Sequence, residues 1–97
     1  MSCMEEFLDF EKSLTQNYSK LRCMRKYLPA DELDMRIRFL YSTMHKKLYG
    51  FFYAGTLSYQ QFDYIDQIFR DMFSDKTFYQ SEPVVVQFRT PGCKYYL

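Results

Sequence analysis

Phe7, Leu14, Leu21 and Leu28 recur every seven residues, and Cys3, Phe10, Asn17 and Met24 repeat the interval three places on. This is an a/d stripe over four heptads. Ser2 and Glu5 have the spacing of a capping box at its start and Pro29 stops it, so the pattern predicts a first helix over residues 3–27. At 1.5 Å per residue such a helix is about 37 Å long, so either the body is elongated or the helix overhangs it. Asn17 is the polar position inside the stripe, where one buried amide can specify register. The stripe suits either an internal hairpin or a dimer. We read the chain as a monomer, with a homodimer as the alternative.

Beyond Pro29, Leu33, Ile37, Leu40, Met44 and Leu48 repeat at spacings of four, three, four and four, which predicts a second amphipathic helix over residues 30–48. Asp31, Glu32 and Asp34 suit its N-terminus, Lys46 and Lys47 its C-terminus, and Gly50 and Gly55 bracket the region where it must stop. Ser58 and Gln61 form a second capping box, with Leu57 and Phe62 at the positions of a hydrophobic staple. A third helix over residues 59–73 follows, with Phe62, Ile65, Ile68, Phe69, Met72 and Phe73 as its apolar series. Val84, Val85 and Val86 then open a β-branched run, and Pro91-Gly92 occupies the centre of a type II turn, predicting a β-hairpin over residues 84–97. A lone hairpin is marginal and must pack on the helices or pair with another chain. The expected fold is mainly α: a three-helix domain over residues 1–97, built on a long antiparallel helical hairpin, with a short C-terminal β-hairpin.

Composition agrees with a folded domain. Of the 97 residues, 47% are hydrophobic and 26% charged, with three Gly and three Pro, which excludes disordered and low-complexity classes. The formal charge of +1 argues against binding a polyanion through net charge. Three cysteines without a C-x-x-C spacing suggest neither a disulfide framework nor a zinc site, and a reducing compartment fits best. Glu5 and Glu6 stand where a secretory signal would be basic, and no apolar run approaches the roughly 20 residues that span a bilayer. We expect a cytoplasmic protein with no membrane partner.

The inventory for catalysis is thin. His45 is the one histidine, with no carboxylate or Cys three or four residues away, and reads as an exposed helical residue. Asp63, Asp66 and Asp71 read as a solvated face of the third helix. Cys3 and Cys23 lie about 30 Å apart on one helix, too far to act together. The stretch from Gly55 to Phe62 resembles the second half of an EF-hand loop, but the upstream ligand positions hold Gly50, Phe52 and Ala54, and Gln61 replaces the bidentate Glu. We therefore expect no enzyme activity, no metal and no cofactor.

Two surfaces attract attention instead. Residues 18–28 carry Lys20, Arg22, Arg25 and Lys26, and the second helix opens with Arg36 and Arg38, so an antiparallel hairpin gathers them near Pro29. Arg22, Arg25, Lys26 and Arg36 are the expected basic patch, whose charge reversal should leave the fold intact. Asp31, Glu32 and Asp34 at the same tip offer neutralising partners. The second surface is the stretch from Leu48 to Phe62, with no charged residue and the rings Tyr49, Phe51, Phe52, Tyr53, Tyr59 and Phe62. Tyrosine in a charge-depleted patch is typical of interface centres, which singles out Tyr49, Tyr53 and Tyr59.

A helix-turn-helix reading is disfavoured because the third helix carries Asp63, Asp66, Asp71 and Asp75 against only Arg70 and Lys76, and a net negative element is a poor visitor to a major groove. The sequence therefore points to a non-catalytic module that binds another protein as a small adaptor, regulator or inhibitor. Small size and abundant Phe, Tyr and Met suit an inhibitor of a host complex carried by a phage or mobile element. The alternative is a nucleic-acid-associated accessory protein using the basic patch.

Overall fold

The computed structural model of the chain describes residues 3–81, which form four helices: α1 (Cys3–Met24), α2 (Ala30–Tyr53), α3 (Tyr59–Met72) and α4 (Asp75–Phe78). Among the described residues there is no strand; the hairpin expected at 84–97 and the capping box at Ser2 lie outside them. The body is elongated, 40 × 23 × 22 Å.

The face of α1 that packs is set by the helix period of 3.6 residues. Phe7, Phe10, Leu14, Tyr18 and Leu21 are buried, at intervals of three, four, four and three. A strict heptad drifts by about 20° per repeat on a straight helix, so by the third turn the buried position has moved from Asn17 to Tyr18. Asn17 is exposed and its Nδ2 donates to the carbonyl of Ser13 at 2.7 Å. The expected buried amide is thus replaced by a phenol. The helix ends three residues sooner than expected, at Met24, whose carbonyl accepts from the amides of Tyr27 and Leu28 at 2.9 and 3.0 Å.

Pro29 is the N-cap of α2, and Asp31 and Glu32 occupy its first turn. The helix does not stop at 48 as expected. It runs through Gly50 to Tyr53 because Phe51 and Phe52 are needed in the core: Phe51 meets Phe7 and Phe10 edge-on at 5.6 and 5.5 Å, and Phe52 stacks on Phe62 at 4.8 Å. Three aromatic contacts outweigh the roughly 1 kcal/mol that glycine costs a helix interior. Gly55, at φ +80°, ends it. The amide of Thr56 donates to the carbonyl of Phe51 and that of Gly55 to Phe52, at 2.9 and 3.0 Å, a Schellman closure.

The capping box of α3 forms as expected. Gln61 N donates to Ser58 Oγ at 3.2 Å, Ser58 N donates to Gln61 Oε1 at 2.9 Å, and Leu57 and Phe62 are both buried. The pairing of Phe7 with Phe51 and of Tyr49 with Phe62 makes α1 antiparallel to α2 and α2 antiparallel to α3. The short α4 was not visible in the periodicity. Ser74 caps it, and Phe78 is buried edge-on against Tyr18 at 5.8 Å. One core cluster joins all four helices, and no buried side-chain nitrogen or oxygen lacks a hydrogen bond among the described residues.

Candidate protein-binding surface

The core-facing series of α2 leaves its opposite side to solvent, and two large apolar residues stand there. Met35 and Phe39, one turn apart, are 71% and 74% exposed. They border an open groove of about 530 Å³ between α1 and α2, where Leu21, Met24 and Leu40 complete the apolar lining and Lys20, Glu32 and Arg36 supply charge of both signs. The sequence reading missed Met35 and Phe39. The available signal was that both are large and apolar yet fall outside the series Leu33, Ile37, Leu40, Met44 and Leu48.

The tyrosines singled out from the sequence are divided by the fold. Tyr49 is half-buried, 5.0 Å from the ring of Phe62 and 4.7 Å from that of His45. Tyr53 and Tyr59 are exposed at 78% and 69%, and Phe52 lies between them, 5.6 and 6.2 Å from their rings. They frame an aromatic tip where α2 turns into α3.

The basic residues are divided as well. Arg22, Arg25 and Lys26 line a concavity with Cys23, Tyr27 and Ser81, whereas Arg36 lines the groove on α2. Arg22 Nε and Arg25 Nη1 donate to the carbonyl of Phe78 at 3.1 and 2.6 Å, and Arg22 Nη2 to that of Gln80 at 2.5 Å. These two side chains therefore terminate α4, and the expectation that their reversal spares the fold does not fit that role. Arg36 pairs with Glu32 at 3.1 Å and Arg38 with Asp34 at 3.0 Å, the neutralisation anticipated at this tip.

Two polar side chains reach the interior. Asp66 is buried at 8% exposure, and His45 is largely covered; they face each other from α3 and α2. This corrects the reading of His45 as exposed and of Asp66 as solvated: each helix turns the residue inward. Rings of Tyr41, Tyr49 and Phe69 surround the imidazole at 5.2, 4.7 and 5.5 Å. The pair ties α2 to α3, with Nε2 of His45 2.7 Å from Oδ1 of Asp66. Tyr18 donates its hydroxyl to the carbonyl of Met72. Burial pushes its phenol above the ordinary value, opposed by Arg22 and Arg25 and reinforced by Asp71.

Among the described residues no group of three or more His, Cys, Asp and Glu is placed to hold a metal ion, and no helix is long and apolar enough to cross a membrane. Comparison with known proteins finds no matching family model, curated protein or solved structure.

Proposed function

We propose that the chain is a non-catalytic protein-binding module, a small adaptor, regulator or inhibitor, that engages its partner through the outward face of α2 and the groove beside it. The exposure of Met35 and Phe39 carries this reading. Both are of the type that contributes about 1.5–3 kcal/mol when fully buried, and they adjoin an apolar groove with charge at its rim. Tyr53 at the far end of α2 and Tyr59 at the start of α3 form a second exposed aromatic patch. The nucleic-acid reading draws less support, because Arg22 and Arg25 are committed to backbone carbonyls and Arg36 and Arg38 to carboxylates.

Affinity capture from the native host tests the proposal. The wild-type chain should retain a protein that the Met35→Ala/Phe39→Ala variant loses while keeping its helicity. Capture unaffected by that variant but abolished by Tyr53→Ala/Tyr59→Ala would move the site to the aromatic tip. Capture that survives both but vanishes on nuclease treatment would favour the accessory-protein reading.

A further inference from the structure

We infer that a second copy of this chain docks on the outward face of α2, antiparallel, with Phe39 on the two-fold axis and Glu32 of each copy opposite Lys46 of the other. The inference rests on the reading of this face as a protein-binding surface and names one occupant for it.

The charge layout of the helix carries the argument. Glu32 lies seven residues before Phe39 and Lys46 seven residues after it. Seven residues are almost two full turns, so both charges share the face of Phe39, each about 10 Å along the axis from it. Phe39, Lys46 and Glu32 are all exposed. When two copies of α2 cross antiparallel about Phe39, Glu32 meets Lys46 at both ends, and Met35 comes opposite Thr43. A parallel pair would set Glu32 against Glu32 and Lys46 against Lys46, so the same pattern that favours one orientation opposes the other. Arg38 is bridged to Asp34 within its own helix, and Glu32, which Arg36 already holds through Oε1 at 3.1 Å, is shared between Arg36 and the incoming Lys46. Such an interface is isologous and closes at two copies.

With two large apolar side chains per copy, the contact is below the standard interface size, and a dissociation constant of about 100 µM is expected. Sedimentation velocity at low salt should therefore show the 11.9 kDa chain moving from monomer toward dimer between about 10 µM and about 1 mM. Glu32→Lys alone and Lys46→Glu alone each place like charges at both ends, and each should weaken association at least about tenfold. An equimolar mixture of the two variants restores opposite charges at both ends and should associate at least as well as wild type. A merely structural effect of either substitution would not be rescued by mixing.

Cross-linking gives an independent readout. In a background with Cys3, Cys23 and Cys93 changed to Ser, Phe39→Cys should form a disulfide dimer on mild oxidation, and Tyr53→Cys, far from the axis, should not. A wild-type chain that stays monomeric to about 1 mM, or a mixture no better than its components, overturns the dimer. If that happens while Met35→Ala/Phe39→Ala still loses a captured protein, only self-pairing fails and the binding face stands.

Discussion

His45 Nε2 on α2 lies 2.7 Å from Oδ1 of Asp66 on α3, and Nε of Arg70, one turn farther along α3, lies 3.0 Å from Oδ2 of the same carboxylate. A buried carboxylate is tolerated only when its lone pairs are taken up, and here each oxygen has a nitrogen. The imidazole is held in turn between the rings of Tyr41 and Tyr49. The cluster fixes the rotation and register of α2 against α3.

Asp66→Ala should therefore lower stability by about 2–3 kcal/mol, since it leaves His45 without its partner inside an aromatic enclosure. Arg70→Ala should cost less than about 1 kcal/mol, because its side chain is 62% exposed. Urea unfolding followed by far-UV circular dichroism separates the two. Equal losses would mean that the external cation, rather than the imidazole, holds the carboxylate.

Tyr18 makes stability fall in alkali. Its phenol is pushed above 10.0 by burial in the folded chain, so the folded state keeps the proton to higher pH than the unfolded state does. The contribution is complete below about pH 10 and is lost as pH rises from there through the folded value. Tyr18→Phe removes the bond to the Met72 carbonyl and should cost about 0.5–1.5 kcal/mol near neutrality. It should also flatten the decline of denaturant midpoint above about pH 10. An unchanged slope would mean that Tyr18 does not carry the decline.

What the sequence disclosed was local. Ser58 and Gln61 cap α3 through bonds spanning three residues, and Leu57 and Phe62 flank the same turn, so residue type and spacing determine the outcome. The misreadings come from the period of a long helix and from tertiary packing. Asn17 yielded to Tyr18 because heptad and helix periods diverge with length. α2 ends between Gly50 and Gly55, as expected, but five residues beyond 48, because Phe51 and Phe52 find partners on α1 and α3. Twenty-one residues separate His45 from Asp66; their meeting depends on the rotational phase of two helices, which spacing on either helix alone does not carry. Met35 and Phe39 were legible in principle, as large apolar residues off the buried series.

Arg22 and Arg25 should behave as structural residues. Both donate to the carbonyl of Phe78, and Arg22 also to that of Gln80, satisfying carbonyls that a four-residue helix cannot satisfy itself. Arg22→Ala/Arg25→Ala should cost about 1–2 kcal/mol and reduce hydrogen-exchange protection at Phe78 and Tyr79 before that of α2. Lys26→Ala, at an exposed position, should stay within about 0.5 kcal/mol of wild type. Global loss of protection in the double variant would show that α4 is not a separable closing element.

The two glycines around the end of α2 should respond to alanine with opposite signs. Gly50 is inside the helix, and a Cβ built there meets nothing within 4 Å. Alanine removes the entropy cost of glycine without a clash, so Gly50→Ala should gain about 0.5–1 kcal/mol. Gly55 also has open space around a Cβ, yet its φ of +80° is left-handed. Alanine there is strained by the backbone alone, by about 1–2 kcal/mol. It would also loosen the closure in which Thr56 and Gly55 donate to Phe51 and Phe52, the link that brings Leu57 and Ser58 into position to start α3. Gly55→Ala should therefore lower the thermal midpoint by several degrees, about 4–8 °C per kcal/mol for a domain of this size, while Gly50→Ala raises it. A loss at Gly50 would mean that the surface around it tolerates no added methyl, as at a close helix contact. No change at Gly55 would mean that the turn can adopt another conformation, and that the helix end is set by the capping box of α3 rather than by the glycine.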